Sequence, residues 1–247
     1  MNSAGVIDRI SPTLRPHRRV VMRQSWHDLL FLHWEVEAEE LQKLLPPSLT
    51  VDTFEGKAYV GLVPFTMTDV RPIWSPSIPP MSNFHETNVR TYVHVDGANP
   101  GVWFFSLDAA NQIAVKIARA LWKLPYHFAS MSLRKEGNLI RYSTTRLSPP
   151  PLPANCKVEY EVVGDVRPAL PDTLEFFLAE RYLLYAQSGK DLLRGQVYHT
   201  PYPLQSAIVK SLEENLVLAA GIHRAQTDPL AHYAKGVNVE VFGLARV

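Results

Sequence analysis

The sequence predicts an antiparallel α+β fold with curved or barrel-like sheets, and three observations carry that prediction. Many short runs rich in aromatic and β-branched residues are punctuated by turn residues. Helical periodicity occurs in only a few stretches, too few to alternate with the strands as βαβ units. One strand-like run, from Ala58 to about Thr68, is apolar on both faces, so it must be covered from two sides.

Residues 26–36 (Trp-His-Asp-Leu-Leu-Phe-Leu-His-Trp-Glu-Val) read as the first strand. A short helix follows from Glu37 to Leu45, where Leu41, Leu44 and Leu45 form one stripe and Pro46 and Pro47 stop it. Two strands then flank Glu55-Gly56-Lys57, the second running from Ala58 to about Thr68. The proline-rich residues 71–83 form an irregular excursion able to lie over a pocket mouth. A hairpin pairs Phe84–Asp96 with Gly101–Leu107. The clearest helix, at about 109–122, repeats Ile113, Ile117 and Leu121 on one face, carries Lys116, Arg119 and Lys123 on another, and has Asp108 at the N-cap position.

Strands at about 126–134 and 139–146 meet at Glu136-Gly137-Asn138, and Pro149, Pro150, Pro151 and Pro153 separate them from the C-terminal third. That third holds a strand at 157–163, a short helix from Pro171-Asp172-Thr173, strands at 181–187 and 192–199, a helix near 212–220 and a last strand from Gly236 to Ala245. The strand count favours a single domain over residues 1–247. Residues 1–22 form a basic lead-in with Arg9, Arg15, Arg18 and Arg19.

Composition narrows the function. The 25 basic and 24 acidic side chains leave a net charge of +1, which supplies no field for nucleic acid or an anionic membrane. No apolar run approaches the length of a membrane span, and no apolar stretch follows the N-terminal arginines. One cysteine, Cys156, excludes an internal disulfide and fits a reducing compartment, so a cytoplasmic location is the expectation. The histidines lack His-x-x-x-His spacing, and neither a nucleophile elbow nor a dinucleotide or phosphate-loop glycine pattern is present, so neither a metal nor a nucleotide cofactor is expected.

Residues 118–129, Ala-Arg-Ala-Leu-Trp-Lys-Leu-Pro-Tyr-His-Phe-Ala, resemble the active-site segment of acetoacetate decarboxylases, Gly-Arg-Glu-x-x-x-x-Pro-Lys-Lys. Arg119 and Pro125 match, while Tyr126 and His127 stand where the family has lysines, the first of which forms a Schiff base. Leu32-His33-Trp34-Glu35-Val36 with Leu44-Leu45-Pro46-Pro47-Ser48-Leu49 resembles a second family segment, in which Trp34 replaces a carboxylate-binding arginine. Glu86 of Phe84-His85-Glu86-Thr87-Asn88 matches an active-site glutamate. Leu-His-Trp, Asp52–Ala58, Val63-Pro64-Phe65, Glu86–Tyr92, Phe105–Asp108 and Leu124-Pro125-Tyr126 are together similar to the YqjF-like bacterial group of the acetoacetate decarboxylase-like superfamily, over residues 24–200. The resemblance implies that fold around a central cavity, and carries over homo-oligomerisation as an option because the decarboxylases assemble.

Without a nucleophilic amine no iminium forms. Lys116 and Lys123 lie on the polar face of their helix. Alternation places Glu86, Asn88, Arg90, Tyr92 and His94 on one face of their strand, which is read equally well as a solvent side or a polar cavity lining. The resemblance favours the cavity. The expected catalytic residues are therefore Glu86, Tyr126 and His127, and the expected substrate-binding residues Asn88, Arg90, Trp34 and Arg119. Two readings stand: an enzyme of lyase, hydratase or isomerase type acting on a small carbonyl or carboxylate ligand, or a binding or sensing module that lost the chemistry. His33 and the pair Arg181-Tyr182 read as core or sheet residues first, and Trp103, Phe104 and Phe105 as core.

Overall fold

Strand β1 (Val20–Val36) sends Leu29 and Phe31 to one apolar cluster and Leu30, Leu32 and Trp34 to another. Both of its faces are buried there, which is why its sequence is a continuous apolar run rather than an alternation. The computed structural model describes residues 7–79, 81–150 and 153–247; residues 1–6 of the basic lead-in and Pro151 of the proline cluster lie outside them.

After α1 (Ala38–Lys43) come β2 (Thr50–Val51), β3 (Ala58–Pro72), β4 (Phe84–Val95), β5 (Ala98–Ala109) and α2 (Gln112–Leu121). The chain continues through β6 (Tyr126–Glu136), β7 (Leu139–Ser148), β8 (Asn155–Arg167), α3 (Leu174–Ala179), β9 (Leu183–Ser188) and β10 (Asp191–Tyr198). It ends with β11 (Leu204–Glu214), α4 (Leu216–Ala219) and β12 (Leu230–Arg246). All these strands join one 12-stranded sheet. Pairing closes it twice. One ring runs β1-β3-β4-β5-β9-β10-β12, and the other leaves β5 through β6, β7, β8 and β11 before returning to β12. The shared strands β12, β1, β3, β4 and β5 form the wall between the rings, so each of their faces looks into one of them.

The first ring closes where β5 and β9 run parallel at Val102–Leu184 and Trp103–Tyr185. Gly101 makes that approach possible, since a Cβ there would stand 2.7 Å from the Leu183 carbonyl oxygen. The second ring carries a fully buried ion pair, Asp108 to Arg146, at 2.8 Å with each side chain only 1% exposed. This pair corrects the expected helix start. Asp108 still belongs to β5, and Asn111 caps α2 instead, its side chain accepting from the amides of Ile113 and Ala114.

The stretch expected as a helix near 212–220 is also different. Leu204–Glu214 is a strand laid antiparallel on β8, and only Leu216–Ala219 turns helical, because an available partner edge outweighs the weak helical preference of this segment. Strands β1 and β12 each begin earlier than expected. Among the described residues no helix is long and apolar enough to cross a membrane.

Candidate functional site

The polar face of β4 turns into the first ring. Glu86, Asn88, Arg90 and Tyr92 are all buried, while Thr87, Val89 and Val93 look into the second ring. That ring encloses a cavity of about 450 Å³, lined by Glu86, Arg90, Tyr126, Arg181, Tyr182 and Tyr202 within a mainly apolar wall.

Glu86 and Tyr126 meet across β5. Glu86 lies opposite Ala109 and Tyr126 opposite Leu107, so both side chains lie over the same strand from either side. The small Ala109 leaves that space open. The Tyr126 hydroxyl donates to Glu86 Oε2 at 2.8 Å. Burial pushes the Glu86 carboxyl up to about 8; the Tyr126 hydrogen bond opposes that rise and the Asp108 charge adds to it. The Tyr126 phenol is held well above its ordinary range, through burial and then the charge and hydrogen bond of Glu86. At neutral pH this pair is an uncharged acid beside an uncharged phenol.

Arg90 stands deeper in the same cavity. Its guanidinium donates to the Leu178 carbonyl at 2.9 Å and lies against the rings of Phe31 and Tyr92 at 5.6 and 5.7 Å. Among the described residues it has no carboxylate partner within 4.0 Å, and its buried Nε makes no hydrogen bond. Arg181 lies alongside, stacked on Phe177 at 4.2 Å and bonded to the buried Asp52 at 2.8 Å, while its second terminal nitrogen is unpartnered. Asp52 is also bonded by Arg9, so two guanidiniums share one carboxylate while Arg90 stands beside them without one. The floor is therefore cationic, and an unpaired buried cation calls for an anion.

Gly61 makes that floor possible. It sits opposite both His33 and Arg90, and a Cβ there would approach the His33 ring to 3.1 Å and Arg90 Cγ to 3.4 Å. Tyr92 donates its hydroxyl to the Leu178 carbonyl at 2.6 Å, so at 2.6 Å from His33 Nε2 it accepts, which makes His33 a neutral Nε2–H tautomer. Burial, then the charge of Arg90, holds the His33 pKa well below its ordinary value.

Three of the expected site residues, His127, Trp34 and Arg119, lie elsewhere. His127 follows Tyr126 in a strand and so points to the opposite side, where its Nδ1 bonds the Pro149 carbonyl at 2.8 Å. Burial, with the Arg146 charge next, lowers its pKa to about 4, and it does not line the cavity. Trp34 faces the second ring, donating to the Thr227 carbonyl at 3.0 Å beneath Arg224. Arg119 is exposed on α2 and bonds the Tyr126 carbonyl at 2.6 Å, so it braces the backbone of the site from outside. Asn88 is buried between Glu86 and Arg90 with Oδ1 unpartnered, but is not among the residues that line the cavity.

The cavity mouth lies between residues 71–79, with Met81 and Ser82, on one side and α2 on the other. Ile113, Ile117 and Leu121, the apolar stripe of α2, line it while remaining 52%, 49% and 67% exposed. Asn111 ties the two sides together, donating from its amide to the Met81 carbonyl at 2.9 Å while capping α2. No lysine lines the cavity among the described residues. Sequence reading ranked Arg181 and Tyr182 as core or sheet residues first and ligand contacts second; both line the cavity, and periodicity cannot say which interior a charged pair enclosed by apolar residues enters.

The comparisons with known proteins agree with this architecture. Residues 23–238 match the family DUF2071, described as an uncharacterized conserved protein. The uncharacterized protein YqjF of Bacillus subtilis (strain 168) is 38% identical over 219 residues, covering 89% of each chain. Among solved structures, the acetoacetate decarboxylase of Legionella pneumophila superposes with a TM-score of 0.66 over 95% of this chain and 90% of its own, at 13% identity. The enduracididine biosynthesis enzyme MppR, complexed with pyruvate, superposes with a TM-score of 0.61 over 94% and 91%, at 12% identity. Identities this low speak for the fold alone. With a family match over most of its length and a relative this similar, the chain belongs to the DUF2071 family, the YqjF-like group, on an acetoacetate decarboxylase-like fold.

Proposed function

We propose that this protein is an enzyme that moves a proton on a carbonyl-bearing carboxylic acid without a covalent intermediate, as an isomerase, hydratase or lyase does. The observation that carries the reading is the Glu86–Tyr126 hydrogen bond of 2.8 Å in a cavity that also holds Arg90 without a carboxylate. In this scheme the ligand carboxylate pairs with Arg90. The Glu86 carboxylate takes a proton from the carbon next to the carbonyl. The C–H electron pair becomes the new C=C bond while the carbonyl π pair moves onto oxygen. Tyr126 swings from Glu86 to hydrogen-bond that enolate oxygen. Glu86 then returns the proton to a different carbon, or to a departing group.

A carboxylate titrating at about 8 has the basicity such a step needs near neutral pH, where an ordinary glutamate is too weak. Pyruvate, bound by the fold neighbour MppR, has the same carbonyl–carboxylate chemistry. A cytoplasmic setting belongs to this reading, since the only cysteine, Cys156, is free and buried.

The test is deuterium exchange at the carbons beside the carbonyl in a series of oxo acids from pyruvate to 8-oxododecanoate, followed by NMR in heavy water; acceleration with any one of them supports the reading. Wild type should accelerate exchange, with kcat/KM rising with pH and levelling above about 8. Glu86→Gln should lose about 10²-fold or more, and Tyr126→Phe a smaller factor. The second reading, a binding module without turnover, is favoured by the apolar share of the cavity wall. It is the correct one if ligands shift the melting temperature while exchange stays at the solution rate in both wild type and Glu86→Gln.

A further inference from the structure

The spacing within the cavity bears on what the substrate looks like. Glu86 and Arg90 are four residues apart on the same face of one extended strand, so their Cα atoms are separated by about 13 Å. The Arg90 guanidinium does not close this gap. It makes no ion pair with Glu86 but lies between the rings of Phe31 and Tyr92 and donates to the Leu178 carbonyl, and side chains on one face of a strand stand roughly perpendicular to the sheet. A four-carbon oxo acid, whose carbonyl sits two bonds from its carboxylate carbon, cannot touch both groups. Bridging them takes roughly five to ten carbon–carbon bonds, after allowing a hydrogen-bond length at each end.

Two further observations point the same way. The cavity of about 450 Å³ is mainly apolar in lining, which is more room and more hydrophobic surface than a metabolite of a few carbons uses. Its mouth continues onto exposed apolar side chains, Ile113, Ile117 and Leu121 of α2 facing Ile78 and Met81, of which Ile78 and Met81 are 51% and 46% exposed. An apolar path that begins at a buried cation and runs out past a polar pair onto an apolar rim has the polarity sequence of an amphipathic acid.

We propose that the site selects an elongated oxo or hydroxy acid: its carboxylate on Arg90, its mid-chain oxygen at Glu86 and Tyr126, and its apolar tail leaving between α2 and the facing Ile78 and Met81. This rests on the cavity being the ligand site and narrows the class of acid it takes. Arg181 contributes to the cationic floor but spends its charge on Asp52, so a single carboxylate is specified.

Calorimetric titration of the full chain with butanoate, acetoacetate, octanoate, dodecanoate, 8-oxododecanoate and the methyl ester of the last tests this. Affinity should rise roughly fourfold for each methylene that becomes buried, and 8-oxododecanoate should exceed acetoacetate by about 10²-fold or more. The methyl ester should bind at least tenfold more weakly to wild type, a readout that needs no variant. Ile117→Glu, on an exposed position, should weaken dodecanoate and leave butanoate unchanged. Equal affinity for short and long acids, with the ester discriminated against, overturns the elongated ligand and leaves the Arg90 site standing. Long acids and their esters binding alike, or no acid binding at all, overturns the head-group assignment and the proposed function with it.

Discussion

Glu86 is a buried carboxyl kept neutral by its surroundings, and that has a thermodynamic signature. Its folded-state value of about 8 stands above the ordinary 4.5. Between those two pH values the folded chain keeps a proton that the unfolded chain has released, so stability falls as pH rises through the window. Below it both states are protonated, and above it the penalty is complete. Glu86→Gln removes the titration while keeping the shape. The variant should melt close to wild type near pH 5 and higher than wild type at pH 9, the gap amounting to a few kcal/mol. Melting curves that run parallel across that range would show that Glu86 is not held neutral. Sequence pattern placed Glu86 and Tyr126 in one hollow through the family resemblance. It misplaced His127 because a neighbouring residue in a strand faces the opposite way, and it misplaced Trp34 because β1 serves two interiors.

At the scale of elements, the Asp108–Arg146 pair holds β5 against β7 within the second ring. Burial raises the Asp108 pKa against the opposing effect of Arg146, so the carboxylate depends on its partner. Arg146→Met should therefore destabilise the protein by about 3–5 kcal/mol, measured by urea denaturation, because it strands a buried charge. Adding Asp108→Leu to that variant should recover part of the loss. A single variant as stable as wild type would mean that water reaches the carboxylate. From sequence, Asp108 looked like a helix cap, since an acidic residue before an apolar-periodic stretch is the usual sign of one. The last helix was misread for a related reason: Leu204–Glu214 has no decisive period of its own and takes its conformation from β8.

For the molecule as a whole, the arrangement departs from Schiff-base chemistry. No lysine lines the cavity among the described residues, and Lys116 on α2 and Lys123 just after it stand outside it. Borohydride added with pyruvate or acetoacetate should leave the protein mass unchanged by mass spectrometry. An adduct on any lysine would instead point to a nucleophile reaching in from outside the wall. The wall itself explains why turn chemistry and apolar runs were enough to predict a curved, barrel-like sheet but not its double closure. Whether β5 pairs with β6, β9 or both depends on contacts far apart in the chain.

What the sequence alone determined is local: which stretches are extended, where they turn, that no amine occupies the Schiff-base position, and that β4 carries a polar face. Alternation, turn preference and residue identity act within a few positions, so they survive without any partner. Tertiary structure decided which interior that face enters, that Arg90 and Arg181 share a floor, and that the apolar stripe of α2 rims a mouth instead of joining the core. Those outcomes follow from two rings closing around shared strands, where the direction of a side chain is set by partners scores of residues away.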